Sequence, residues 1–213
     1  MFSTIDVLSN GRVTVGVGAG WMKEEFEALG TPPHAERGKV TNEYIRTFKE
    51  LWTQESPSMQ GDYVDFSDVI FEPKPIQKPH PPIFVGGESG PAFRRVIELG
   101  DGWYPIGANP KNRMDTRERY KANVEKLHAQ AEAHGRDPSS ITLAFWANWA
   151  GITDPIADDG NRRLFMGSSE EIASDVEFFR EMGVSVLNFN FLSPTLNEAL
   201  EKMEQYASEV LPL

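Results

Sequence analysis

The sequence predicts an α/β fold assembled from parallel strand–helix units, and three observations carry that expectation. Short apolar runs rich in β-branched and aromatic residues recur at 13–17, 83–85, 141–149 and 184–191. Helical apolar periodicity fills the stretches between them, as crossover connections between parallel strands demand. The run Ile83-Phe84-Val85 is apolar throughout rather than alternating, the pattern of a strand covered on both faces.

Phe2, Ile5 and Leu8 have helical spacing, and Ser9-Asn10-Gly11 ends that element. The strand 13–17 runs into Gly16, Gly18 and Gly20. This G-x-G-x-G lacks the third glycine of a dinucleotide fingerprint, and Trp21-Met22-Lys23-Glu24 follows it instead of a small-residue helix start. Close backbone packing and approach to a cofactor both remain open for these glycines. Glu24, Glu25 and Glu27 read as a solvated helix face. Residues 35–52 form a long amphipathic helix with Tyr44, Ile45, Phe48, Leu51 and Trp52 on one side. A turn at 60–62 precedes a short exposed strand at 63–66. Five prolines within 73–82 make an extended connector, with His80 as a packing residue.

The stretch 81–105 reads as strand, glycine loop, helix and short strand. Gly86 and Gly87 end the first strand where the chain must turn. Ser89 can cap the helix, and Pro91 is tolerated in a first turn because its missing N–H has no partner there. Ala92, Phe93, Val96, Ile97 and Leu99 make the apolar stripe, and Gly100 stops it. Ligands of α/β folds bind at the carboxyl ends of strands, and free N–H groups at a helix start attract anions. With Arg94 and Arg95 nearby, the loop is a candidate phosphate or carboxylate cradle. A plain chain reversal with solvated arginines fits the local residues equally well.

A helix at 115–134 turns Tyr120, Val124, Leu127 and Ala131 inward and stops at Gly135. His128 and His134 do not share a face, so no metal pair is expected. Trp146 and Trp149, on the strand at 141–149, can wall a planar ring or simply pack. Residues 151–163, with Asp154, Asp158 and Asp159, read as a mobile, solvated loop. Ser168 and Glu171 match a capping box opening the next helix. After the strand 184–191, a helix at 195–210 is expected to turn Leu196, Ala199, Leu200, Met203 and Tyr206 inward.

Composition bounds the class. The 213 residues, 39% hydrophobic, suffice for one domain over 1–213 with its own core. Mean hydropathy is −0.43 and no apolar run reaches a membrane span, so no membrane partner is expected. With no basic-then-apolar leader and no cysteine, a cytoplasmic location is expected, and thiol chemistry is excluded. A net charge of −11 argues against nucleic acid and requires any anionic cofactor to find a locally favourable site. There is no G-x-S-x-G, Walker loop or H-E-x-x-H.

The block 86–95 (GGESGPAFRR), followed by Gly100-Asp101-Gly102-Trp103, resembles the luciferase-like monooxygenase superfamily, most of all its coenzyme F420-dependent oxidoreductase branch. Blocks at 6–21, 71–82 and 167–171 agree, in the family's order, so the resemblance covers nearly the whole chain. It implies a partial TIM (β/α)8 barrel, about the fourth to eighth strands with their helices. A complete barrel takes about 250 residues, so three preceding units of roughly 100 residues in all are expected to be absent from this sequence.

The resemblance further implies coenzyme F420, or alternatively FMN, and hydride transfer or monooxygenation of a small organic substrate. By matching motif, Gly86, Gly87, Ser89 and Gly90 would contact the cofactor phosphate through backbone N–H groups, with Arg94 beside them. Gly18 and Gly20 would approach the ring or ribityl chain. The family's acid–base residues lie mostly on the second to fourth strands, so no catalytic residue is named. Two alternatives stand: a shortened, non-catalytic flavin-binding relative, comparable to the non-fluorescent flavoprotein of luciferase systems, and an inert barrel fragment. Unpaired edges at 13–17 and 184–191 lead to the expectation of a homo-oligomer.

Overall fold

The computed structural model of the chain describes residues 1–149 and 152–211, which divide into two units. The first comprises Met1–Gly86 and Arg94–Gly102, the second Gly87–Phe93 and Trp103–Leu213.

In the first unit, α1 (Phe2–Leu8) leads to β1 (Val15–Val17) and α2 (Lys23–Leu29). A long helix, α3 (Arg37–Thr53), precedes an antiparallel hairpin of β2 (Met59–Gln60) and β3 (Asp65–Phe66), and then β4 (Ile83–Gly86). β1 and β4 pair in parallel, with Val15 opposite Ile83. Ile83, Phe84 and Val85 are all buried, as their unbroken apolar run requires. The expected helices form, but their buried sides differ from the apolar stripes. In α1 the buried residues are Ser3 and Asp6, while Phe2 and Ile5 are exposed and Leu8 is 81% exposed. In α3, Ile45 and Trp52 are buried and Phe48 stacks on Trp52 at 5.4 Å, but Tyr44 is exposed and Glu43 is inside.

The buried acids explain the difference. Asp6 accepts hydrogen bonds from the amides of Ile76 (2.9 Å) and Gln77 (3.1 Å) and from Gln77 Nε2 (2.7 Å). Glu43 does the same for the hairpin turn, accepting from the amides of Asp62, Tyr63 and Val64 at 2.7–3.0 Å. Each acid ties an irregular segment to a helix by satisfying donors that no strand or helix satisfies.

α4 (Gly90–Leu99) and β5 (Gly102–Tyr104) contribute residues to both units. In the second unit follow α5 (Arg117–Ala133), β6 (Thr142–Ala147), α6 (Ser169–Glu181), β7 (Val184–Phe189) and α7 (Leu196–Glu209). The core here is aromatic. Tyr120, fully buried on α5, stacks on Phe179 at 4.5 Å, meets Phe145 edge-on at 5.3 Å and lies parallel to Trp103 at 6.0 Å. Such pairs add about 0.5–1.5 kcal/mol each beyond area burial. The Ser168–Glu171 capping box forms as expected.

One expectation is refined here and one fails. Most of the described residues 152–163 are exposed, as a solvated loop requires, but ion pairs tie the segment down: Arg119 pairs with Asp115, Asp158 and Asp159, and Arg163 bonds both Asp115 and the Asp154 carbonyl. Gly151 lies outside the described residues. On α7 the apolar stripe is uncovered, with Leu196 72% exposed and Leu200 and Met203 also exposed; Ala199 and Tyr206 are half-buried.

All five longer runs belong to one sheet, in the order β1-β4-β5-β6-β7, so β1 and β7 are its edges, as expected. The β1–β4 and β6–β7 pairs are parallel. Among the described residues, no helix is long and apolar enough to cross a membrane.

Burial alone would raise the Asp6 pKa, but hydrogen bonds from Gln77 and Ile76 outweigh it and hold the carboxyl below its ordinary 3.8. Asp6→Ala is therefore expected to lower the unfolding free energy by about 2–4 kcal/mol at neutral pH, read from urea denaturation. A depressed folded pKa gives stability that is present above the unfolded value and fades as pH falls through the folded one. The wild-type advantage should hold above pH 3.8 and shrink below it. An advantage undiminished in acid would show that the charge is not what holds residues 76 and 77.

Candidate functional site

At the end of β4 the backbone reverses at Gly87, whose φ is +105°. An L side chain is strained there, and a Cβ would also sit 3.1 Å from the Ala92 Cβ. The turn is held by the Trp103 indole, whose Nε1 donates to the Gly87 carbonyl at 2.9 Å. Ser89 then starts α4: its carbonyl accepts from Phe93 N at 3.0 Å, and its Oγ lies 3.4 Å from Ala92 N. Pro91 has no N–H to satisfy. Gly90 has open space where a Cβ would be. The result is a small-residue loop at a helix start, where backbone N–H groups and the helix dipole favour an anion.

The sequence-predicted residues separate into groups. Gly86, half-buried, closes β4, and Gly87, Ser89 and Gly90 form the turn. Arg94 is exposed on α4. Arg95 does not join it. Its guanidinium is buried, with Nε donating to Asn42 Oδ1 at 2.6 Å and Nη2 to the Gly38 carbonyl at 3.0 Å. Gly18 and Gly20 belong to the first unit. Gly18 is exposed, and a Cβ added to it would meet nothing within 4 Å, whereas Gly20 has φ +78° and its Cβ would come within 2.8 Å of the Phe26 ring. For Gly20, close local packing is thus a sufficient reason for glycine. His80 packs, as expected, with its ring 6.2 Å from that of Trp52. Among the described residues no cluster of three or more acids or histidines suits a metal ion.

Glu88 is the residue that sequence reasoning missed. It sits inside the glycine loop yet is only 5% exposed. Its Oε1 accepts from Ile106 N at 2.8 Å, and its Oε2 accepts from Asn109 Nδ2. Burial pushes its carboxyl above the ordinary carboxylate value, opposed by the donors Ile106 and Asn109. No local signal marks it, because an acid among glycines and a serine reads as an ordinary solvated turn. Glu88 fastens the segment after β5 to the loop after β4. In that segment a Cβ at Gly107 would overlap the Trp149 ring.

The luciferase-like monooxygenase family model matches residues 1–149. The chain belongs to this family. The FMNH2-dependent dimethylsulfone monooxygenase of Pseudomonas putida is 30% identical over 259 aligned positions, covering 99% of this chain and 68% of that protein. Among solved structures, the monooxygenase RslO1 of Streptomyces bottropensis superposes with a TM-score of 0.74 at 20% identity, covering 99% of this chain and 71% of that one. An F420-dependent secondary alcohol dehydrogenase, solved with an F420–acetone adduct, gives 0.68 at 20% identity, covering 99% and 72%. At that identity the structural likeness speaks for the fold, which is that of the family's TIM-barrel members.

Gly87→Ala is expected to destabilise the protein by about 1–3 kcal/mol, measured by urea denaturation, because it forces a side chain into left-handed backbone. An unchanged midpoint would mean the turn relaxes freely. Glu88→Ala should speed amide exchange at Ile106 by about tenfold or more, while the Phe145 amide stays slow. Unaltered exchange at Ile106 would remove Glu88 from the role given to it.

Proposed function

We propose that this chain carries the cofactor-phosphate site of an oxidoreductase that acts on a small organic substrate with reduced FMN. The observation that carries the reading is the loop Gly87–Gly90: a left-handed glycine, a second glycine with open space and a serine at the start of a ten-residue helix. These residues fit a phosphate, because nothing but backbone stands at Gly87 and Gly90. The N–H groups of Gly87, Ser89 and Gly90 would hold the phosphate, with the Arg94 guanidinium adding charge from the exposed side of α4. Glu88 would keep the loop in its binding shape by fixing residues 106–109 rather than by touching the ligand. When bound, a reduced flavin supplies hydride transfer and oxygen activation. FMN is preferred because the Pseudomonas putida relative, at 30% identity across nearly this whole chain, is named as FMNH2-dependent.

The second reading is F420 with hydride transfer and no oxygen chemistry. It rests on the likeness of 86–95 and 100–103 to the F420 branch. We further propose a homo-oligomer, supported by the two sheet edges at β1 and β7. Catalytic residues are not assigned.

Anaerobic titration with FMNH2 and with reduced F420, followed by aeration in the presence of a small sulfone, separates the readings. Saturable FMNH2 binding, with oxidised sulfone product formed on aeration only when the protein is present, is the expected result, and Gly87→Val should weaken that binding at least tenfold. Tighter F420 binding without sulfone oxidation would favour the second reading. Binding of neither, by folded protein, would defeat both. Light scattering should give a mass at least twice the 23.9 kDa of one chain, and a stable monomer would end the oligomer proposal.

A further inference from the structure

Glu88 stands in the glycine loop between Gly87 and Ser89, two of the residues whose N–H groups would hold a phosphate. A negative charge at that place opposes an anion, and this one is buried, at 5% exposed. Buried carboxylates are normally paired with a cation. Here neutral donors hold the two oxygens: Ile106 N donates to Oε1 at 2.8 Å, and Asn109 Nδ2 donates to Oε2. The Asn109 amide is fixed in that orientation, because its Oδ1 accepts from Lys111 N at 3.0 Å.

The charges around Glu88 are few. β4 carries none, and on α4 the first charged side chain is Arg94, which is exposed. Tyr104, the titratable residue of β5, is kept neutral by burial, which raises its phenol above the ordinary 10.0. Past Asn109, Lys111 is exposed. Among the described residues no charged neighbour acts on the Glu88 carboxyl, and burial raises its pKa. The carboxylate therefore lacks compensation even before an anion arrives.

Two negative charges side by side repel, and the acid with no cation against it is the one that relieves the repulsion by taking a proton. A protonated carboxyl keeps an acceptor oxygen for Ile106 N, so the loop holds its shape when the charge is lost. We infer that Glu88 is a positioning residue that ties occupancy of the loop to uptake of one proton, so that an anion binds more tightly as pH falls. This inference rests on the reading of Gly87–Gly90 as the phosphate site. The sign follows from linkage. An anion that raises the carboxyl's affinity for a proton must itself prefer the protonated protein. The gain runs from the carboxyl's pKa in the filled loop down to its pKa in the free protein, below which affinity levels off.

The test is calorimetric titration of the full chain with inorganic sulfate, which keeps its double charge over the whole range, at steps from about pH 5 to about pH 9. Wild-type affinity is expected to rise about tenfold or more from the alkaline to the acid end, one unit of pKa change on binding being a factor of ten. Heats measured in two buffers of different ionisation enthalpy should show a proton taken up. Glu88→Gln keeps the acceptor for Ile106 and removes the titration. It should bind sulfate more tightly than wild type at the alkaline end, with a flatter pH profile and no proton uptake, while amide exchange at Ile106 stays slow. Gly87→Val should lose the sulfate, which ties the ion to the loop. Binding that Gly87→Val abolishes, with the same pH profile in wild type and Glu88→Gln, would overturn the inference and leave the phosphate site standing. Should Glu88→Gln fold poorly, wild-type binding without proton uptake would overturn it alone. Sulfate kept by Gly87→Val would be an adventitious ion only, and that result, or no binding at any pH by folded protein, would defeat the phosphate site and the inference together.

Discussion

One backbone conformation governs the carboxyl end of β4. A strand buried on both faces has no solvent in which to turn gradually, so the chain must reverse within a residue or two, and Gly87 does so at φ +105°. The rest of the stretch is arranged to hold that reversal. Asp101 grips the start of the same strand, its Oδ2 accepting from Ile83 N and its own N–H donating to the Ile83 carbonyl, both at 2.8 Å. Trp103 grips the end through the Gly87 carbonyl. Residues of the short segment following α4 thus fix both ends of the strand preceding it. The helix between them then starts from a rigid turn, which a preorganised anion site needs.

Buried carboxylates recur as fasteners elsewhere. Asp6, Glu43, Glu88 and Asp175 each accept from backbone N–H groups in irregular segments. A carboxylate has room for several donors on its two oxygens, so one side chain can satisfy a turn that backbone pairing cannot reach. The loops around this sheet therefore owe their shape to acids on neighbouring elements, and part of the chain's negative charge is structural rather than solvating.

This also explains what was legible in the sequence. Strand runs, the Ser168–Glu171 capping box and the Gly87 turn are local patterns, complete within a few residues, and they stand where the sequence places them. The fasteners are not local. Asp6 meets residues 70 and 71 positions away, and Glu88 meets Ile106 at a separation of 18. Nothing in their immediate neighbours marks them as buried. Periodicity likewise shows that α7 is amphipathic but not what covers its stripe, and there the inward assignment of Leu196, Leu200 and Met203 fails. Residues 152–163 read as a solvated loop because their polar composition is visible, and most of them are exposed; the pairing that ties the segment down was not legible, because Arg119 lies elsewhere in the chain and Arg163 folds back onto Asp115.

The electrostatics of the glycine loop can be weighed from the same contacts. A net charge of −11 acts through a screening length of about 8 Å at physiological salt, so only nearby groups decide whether an anion is welcome. Arg95 is withdrawn, bonded to Asn42 and Gly38, which leaves backbone N–H groups, the helix dipole and Arg94 as the attracting groups. The one buried negative charge in the loop itself is Glu88, and its oxygens are committed to Ile106 and Asn109. Burial has already raised its pKa, and an arriving phosphate would raise it further by like-charge repulsion. If the loop takes an anion as proposed, that linkage calls for proton uptake by Glu88 on binding, since the protonated acid would stop repelling the ligand while one of its oxygens still accepts from Ile106. A buried acid inside a loop proposed to bind an anion is therefore no contradiction: it fixes the loop's shape when charged and would lower its own repulsion on binding.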